Sequence, residues 1–137
     1  MSLPPTTRQA AIEHIRLELG AAIVCLVDSS TAMLLEVSPK DRRSASGDLD
    51  VIAVGCTDVV RSQQNLVAAM AGTADVEDIM VAVGDEFHVY HPLHDNSGLF
   101  VWAVVDGDRH NLALTRRLMQ RLSESLLTPA HPSMVAS

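Results

Sequence analysis

The chain has 137 residues, a length typical of one domain, and 47% of them are hydrophobic while 20% are charged. No apolar run reaches the roughly 18 residues that a transmembrane helix needs, and the first residues lack the regions of a secretory signal. The net charge of −7 argues against a nucleic-acid binder, and the single lysine, Lys40, lies in no P-loop motif, which excludes a P-loop nucleotide hydrolase.

The first third of the chain predicts a helix followed by two strands. Residues 6–19 carry apolar side chains at helical steps of three and four, namely Ala11, Ile12, Ile15 and Leu19. Residues 21–27, AAIVCLV, are apolar throughout, which favours a central strand covered on both faces. Residues 32–37, AMLLEV, predict a second strand, antiparallel to the first and nearer an edge of the sheet.

Cysteine usage points to a reducing compartment. Cys25 and Cys56 are far apart in sequence, and neither belongs to a C-x-x-C motif. Both lie in apolar surroundings, so we expect two reduced, buried thiols in a cytoplasmic protein.

The middle of the chain predicts one long helix from Leu49 to Ala71, capped by Asp48 and stopped at Gly72. One apolar stripe runs through Ile52, Cys56, Val59, Leu66 and Met70, and a second beside it runs through Leu49, Ala53, Val60 and Val67. Together they span an arc of about 140°, wider than the roughly 100° that is usual for a helix packed on one surface. Two interpretations stay open: a wide core helix, or a helix that packs both on its own sheet and on a partner's helix.

The last part of the chain predicts three strands and a helix. The strands are VEDIMVAV, EFHVY and LFVWAVV, with a tight turn at residues 84–85 and a longer one at 94–98. Asp106 or Asp108 is expected to cap the final helix, whose inner face would consist of Leu112, Leu114, Leu118, Met119, Leu122 and Leu126. The order α-β-β-α-β-β-β-α predicts an α+β fold with a mostly antiparallel five-stranded sheet and helices on both faces.

Three histidines, His88, His91 and His94, form an H-x-x-H-x-x-H pattern. Side chains on a strand alternate faces, so His88 and His91 should point in opposite directions and cannot converge on one metal ion. Pro92 ends the strand, and we expect His91 and His94 at the surface. We predict no metal, no cofactor and no catalytic residue, while an uncharacterised enzyme site at Asp85, Glu86 and His88 is kept as a third hypothesis.

Charge is unevenly distributed near the C-terminal helix. Residues 75–108 contain eight acids and neither lysine nor arginine, whereas residues 109–121 contain four arginines and no acid. This pattern is typical either of a solvated helix face or of a charged surface that steers a protein partner. The candidate partner contacts are Arg42, Arg43, Arg116, Arg117 and Arg121.

Several short sequence patterns together resemble those of a known family. Residues 78–122 resemble the C-terminal half of a roadblock (dynein light chain type) domain, with the matching features at Pro92–Leu93, Gly98–Leu99, Asp106–Asp108 and Asn111–Leu114. Residues 19–36 resemble the first hairpin of that family, and the helix from Leu49 resembles its second helix. The resemblance covers one domain over residues 8–127 and leaves 1–7 and 128–137 as expected flexible termini.

The resemblance implies a profilin-like layered fold and a homodimer in which the two long helices pack antiparallel and the sheets join edge to edge. It implies a dimer interface through Cys56, Val59, Gln63, Leu66 and Met70, with residues 76–83 at the sheet edge. It also implies a non-enzymatic adaptor that modulates a small Ras-like GTPase in bacterial signalling. The alternative is a small-molecule sensor of the PAS or GAF type, which needs a pocket with placed polar groups that the apolar central strands do not offer.

Overall fold

The computed structural model describes residues 5–42, 47–70 and 72–127. Arg43 and the segment after residue 127 lie outside these ranges, as do most of the residues predicted as an N-terminal flexible segment. The described chain contains three α-helices, Pro5–Leu19 (α1), Leu49–Ala69 (α2) and Leu112–Ser123 (α3), the last followed by a 3₁₀ turn, Glu124–Leu126. Its strands are Ile23–Asp28 (β1), Met33–Pro39 (β2), Ile79–Val83 (β3), Glu86–Pro92 (β4) and Leu99–Asp106 (β5).

The five strands form one sheet in the order β2-β1-β5-β4-β3, and every neighbouring pair is antiparallel. The predicted order of elements and the predicted sheet are therefore confirmed. The prediction for β1 is confirmed in detail, since this strand lies between β2 and β5 and its first five side chains are buried. The strand β2 lies at one edge, which confirms its predicted place nearer an edge, and β3 lies at the other.

The core has two layers because side chains of the central strands alternate between the faces of the sheet. On one face, α1 and α3 contribute Ile12, Ile15 and Met119, which pack with Val24 and Val101. On the other face, α2 contributes its own buried residues, and the cluster there includes Ala53, Cys56, Val60, Phe100 and Trp102. Within the described ranges, no helix combines the length and apolar character that crossing a bilayer requires.

The start of α2 follows its prediction. The Asp48 carboxylate accepts hydrogen bonds from the backbone N–H groups of Asp50 and Val51 at 3.1 and 3.3 Å, which satisfies two donors that the first turn leaves without helical partners. The helix ends at Ala69, two residues earlier than predicted, and the Met70 N–H bonds the carbonyl of Leu66.

The prediction for the start of α3 is wrong. Asn111 is the N-cap and accepts a hydrogen bond from the Leu114 N–H at 3.1 Å, while the Asp106 carboxylate accepts one from the Asp108 N–H within a turn. The Gly107 N–H donates to the Asp85 carbonyl at 2.8 Å, which attaches this turn to the β3–β4 hairpin. The helix therefore begins only at Leu112.

The inner face predicted for α3 is wrong for two leucines. The buried side chains are Thr115, Met119 and Ser123, spaced four apart, so the buried face follows that row. Leu114 lies about 100° away from Thr115 on the helix and is 54% exposed, and Leu112 in the first turn is 37% exposed.

Candidate functional site

One side of α2 carries apolar side chains that its own sheet does not cover. Leu66 is 51% exposed and Met70 is 72% exposed, and Gln63, which precedes Leu66 by about one helical turn, is exposed as well. Val59 is half-buried, whereas Cys56 is only 5% exposed because it faces the sheet. Of the five residues predicted for a dimer interface, Cys56 is thus the least accessible, and Gln63, Leu66 and Met70 are open.

The outer strand β3 adds to this surface. Its register pairs Ile79 with Tyr90 and Val81 with His88, so these side chains lie on the sheet face that α2 covers. Ile79 packs against the same cluster as the buried side of α2, while Val81 and Val83 are exposed. The predicted edge strand is therefore present as residues 79–83, with an apolar side facing solvent on the same face as α2.

His88 and His91 point to opposite faces of the sheet, as strand parity predicts. The His88 ring contacts Trp102 edge-on with centroids 5.5 Å apart, in the layer covered by α2. Burial lowers the pKa of His88, and the nearby Glu86 carboxylate opposes that shift only in part. Among the described residues, no group of three ligating side chains could hold a metal ion.

The prediction that His91 lies at the surface is wrong. The residue is 5% exposed, and its Nδ1 lies 2.8 Å from Oδ1 of Asp78, which directly precedes β3. The side chain points into the layer beneath α3, and Asp78 supplies the polar partner that a buried imidazole needs. His94, in contrast, is exposed as expected, with its ring centroid 6.0 Å from that of His91.

The arginines of α3 divide into two groups. Arg116 donates from Nε to Oδ2 of Asp78 at 3.0 Å, so it belongs to the same cluster as His91. Arg117 and Arg121 are one helical turn apart and exposed, and within the described part of the chain they form no ion pair. Arg42 is also exposed, and Arg43 lies outside the described residues.

The residues of the enzyme hypothesis do not form a catalytic arrangement. Asp85 and Glu86 are exposed at the β3–β4 turn, and within the described ranges no hydrogen bond joins either carboxylate to His88. A nucleophile, a base and an orienting group would have to be within mutual reach for covalent catalysis.

The two thiols lie together in the layer beneath α2. Cys25 on β1 and Cys56 on α2 belong to one buried cluster. Burial raises the pKa of each thiol to about 12, and for Cys25 the neighbouring Cys56 adds to the shift. Both thiols therefore stay protonated at neutral pH and are poor nucleophiles.

A groove of about 560 Å³ lies at the end of the domain where α2 terminates. It runs between residues 64–68, residues 72–76 and the loop 92–98, and most of its lining residues are exposed. The sensor hypothesis requires a concave site with converging polar groups. This groove lies outside the two packed layers rather than between sheet and helices, where the side chains already fill the core.

No protein-family model matches the chain, and no curated protein matches its sequence. Its fold is similar to solved structures along most of their length. Myxococcus xanthus MglB has a TM-score of 0.76 at 16% identity, covering 89% of this chain and 86% of that one. The gliding protein MglB of Thermus thermophilus gives 0.74 at 16% identity, with 92% and 90% covered. A Roadblock/LC7 domain from Streptomyces avermitilis gives 0.69 at 14% identity, with 85% and 92% covered. The chain therefore has the fold of a roadblock-type domain.

Proposed function

We propose that this protein is a homodimeric, non-enzymatic adaptor that binds and modulates a small Ras-like GTPase in bacterial signalling, in the cytoplasm. The observation that carries the proposal is the placement of exposed apolar side chains. Of the ten large hydrophobic residues that are exposed in the described chain, six belong to α2 and β3 or directly follow α2, namely Val51, Val54, Leu66, Met70, Val81 and Val83. Leu66 and Met70 are about one helical turn apart on α2, and Val81 and Val83 lie on the sheet face that α2 covers. Exposed apolar surface of this kind is typical of an interaction site.

A second copy of the chain is the occupant that best fits this surface. The outer edge of β3 pairs with no other strand among the described residues, and open edges favour pairing with another chain. Antiparallel pairing of two β3 strands would join the sheets, and it would bring the α2 helices of the two copies together on the same face. Leu66 and Met70 would then be buried at a two-fold contact, in which the same patch serves both copies.

The GTPase part of the proposal rests on the roadblock-type fold and on charge. Two of the solved structures named above are MglB proteins, one of them described as a gliding protein, which supports a role in a bacterial signalling or motility system. Arg117 and Arg121 are exposed cations on α3 in a protein of net charge −7, and they offer a surface that orients an acidic partner. Arg42 is a further exposed cation, between β2 and α2. The α3 arginines lie on the other side of the sheet from α2, so they would stay accessible in the dimer.

Two measurements test the proposal. Sedimentation equilibrium of the purified chain should give the mass of a dimer at micromolar concentration. Calorimetric titration with small Ras-like GTPases of the same organism, each loaded with GDP or with a non-hydrolysable GTP analogue, should show binding that depends on the nucleotide. A monomer in the first experiment would contradict self-association, and equal absence of binding in both nucleotide states would contradict the GTPase role.

A further inference from the structure

A buried carboxylate joins three separate parts of the domain directly before the edge strand β3. Asp78 accepts a hydrogen bond from His91 Nδ1 at 2.8 Å, with the imidazole in the tautomer that carries a hydrogen there, and from Arg116 Nε at 3.0 Å. The side chains of Asp78 and His91 are 7% and 6% exposed, and that of Arg116 is 51% exposed. We call these three residues the Asp78 cluster.

The Asp78 cluster lies where β3 has few other attachments. The strand has five residues, and within the described chain its only neighbour in the sheet is β4. The last pair of that ladder is Ile79 with Tyr90, so Asp78 lies opposite His91, one step beyond the ladder. Residues 72–78 form no strand or helix, so the cluster adds side-chain bonds to β4 and α3 at the start of β3, where the ladder with β4 ends.

The hydrogen bonds of the Asp78 cluster hold the Asp78 side chain in one position. Burying a carboxylate is costly unless ionic or hydrogen-bonding partners compensate, so Asp78 is stable in this place only while both partners are present. Charge-assisted bonds of this length are directional, and they restrict the backbone that carries them. Residue 78 is thus held in one position, and this restricts where the five following residues of β3 lie.

We infer that Asp78 is a positioning residue for self-association, a role that rests on the proposed dimer. By fixing the first residue before β3, the Asp78 cluster sets the register in which the open strand edge, with Val81 and Val83, meets a second copy. Arg116 serves this internal purpose, and it stays a predicted partner contact only through the half of its side chain that is exposed. The surface of α3 and the edge of β3 are thereby connected through one carboxylate.

The chain offers a matched control at the opposite edge of the sheet. Glu36 on β2 accepts a hydrogen bond from Arg8 Nε of α1 at 3.4 Å, and its side chain is 11% exposed. This ion pair also ties a helix to an edge strand, but that strand is β2. Asp78→Asn and Glu36→Gln each remove one carboxylate charge without changing side-chain shape, so they differ mainly in which edge they loosen.

The experiment compares the dimer dissociation constants of the wild type and these two variants by sedimentation. Asp78→Asn should raise the dissociation constant at least about tenfold, and Glu36→Gln should leave it within about twofold of the wild-type value. Backbone hydrogen exchange of residues 79–83 should accelerate in Asp78→Asn and stay unchanged in Glu36→Gln. Arg116→Gln, at a half-exposed position that tolerates substitution, should act in the same direction, and Arg116→Lys should restore part of the loss.

The outcomes separate this inference from the proposed function. A monomeric wild type overturns the dimer and with it the role of the cluster in assembly. A dimeric wild type whose dissociation constant changes equally in Asp78→Asn and Glu36→Gln leaves the dimer intact and overturns the inference, as does an Arg116→Gln variant that dimerises and exchanges like the wild type.

Discussion

The imidazole of His110 joins the end of α1 to the segment that leads into α3. Its Nε2 lies 2.7 Å from the carbonyl oxygen of Leu19, and its Nδ1 lies 2.7 Å from the carbonyl oxygen of Asp106. Both partners are hydrogen-bond acceptors, so a neutral ring donates to one carbonyl at a time and only the imidazolium form donates to both. The ring therefore lies between two backbone groups that are far apart in sequence. The contact closes the layer of two helices over one face of the sheet.

Removing this bridge should destabilise the fold without affecting assembly directly. His110→Ala deletes contacts to both carbonyl groups, one of which belongs to the last turn of α1, where helical carbonyls lack internal partners. We expect a loss of about 2 kcal/mol in the free energy of unfolding, measured by urea denaturation. His14→Ala on the exposed side of α1 is the control, and an equal loss in both variants would contradict the bridging role.

The buried thiols should not react with thiol reagents in the native protein. Because burial raises the pKa values of Cys25 and Cys56 to about 12, neither should react with a thiol reagent such as DTNB at pH 8 until the chain unfolds. Stoichiometric labelling of both thiols in denaturant should contrast with almost none in buffer. Rapid labelling of the native protein would show that one of them reaches solvent.

The same shifts predict how stability depends on alkaline pH. The thiol pKa values are higher in the folded chain than the ordinary value of 9.0, so the folded state holds these protons more tightly than the unfolded state. The stabilisation is complete below pH 9 and is lost as the pH rises from about 9 toward about 12. Urea denaturation at several alkaline pH values measures this slope.

A control for the alkaline slope comes from the third weak acid of this layer. Burial is the largest cause that raises the pKa of Tyr90, which therefore contributes a slope of the same sign. Tyr90→Phe should remove only the part due to tyrosine. A slope that vanishes entirely in this variant would contradict the assignment to the cysteines.

The sequence predicts the fold well where the signal is local. Continuous apolar runs identify β1 and β5, and strand parity places His88 and His91 on opposite faces. The cap at Asp48 is also local, since a carboxylate directly precedes a helical pattern. In each of these cases the residues that determine the structure are within one turn or one strand.

The sequence-based predictions fail where contacts between distant segments determine the local structure. Asp106 and Asp108 are good capping residues by type, but the bond from Gly107 to Asp85 commits them to a turn. The burial of His91 depends on Asp78, 13 residues away in a segment without regular structure. No periodic pattern in the sequence identifies that pair, and Arg116 is likewise indistinguishable from its neighbours on α3 until the fold brings it to Asp78.

Introducing a charge into the exposed stripe of α2 should abolish the proposed dimer. Leu66→Arg places a cation where an apolar contact between two copies is expected, whereas in a single chain the side chain is already half in solvent. The dissociation constant of the dimer should rise more than about tenfold, with the unfolding free energy of the monomer nearly unchanged. Leu17→Arg on α1 is the matched control, because Leu17 is 61% exposed on the other side of the sheet. If both variants remain dimers, α2 is not the interface.

Reversing the charge of the exposed arginine pair on α3 should weaken binding of the GTPase while the dimer persists. Arg117→Glu combined with Arg121→Glu removes two cations that form no ion pair within the described chain and replaces them with acids, so an acidic partner is repelled. The association rate constant, measured by stopped-flow mixing, should fall at least about tenfold at low salt and less at high salt, since salt screens exposed charges. Lys40→Glu combined with Arg61→Glu changes the net charge by the same amount at other exposed positions and serves as the control. Equal slowing in both double variants would mean that net charge alone governs the encounter and that α3 presents no specific docking surface.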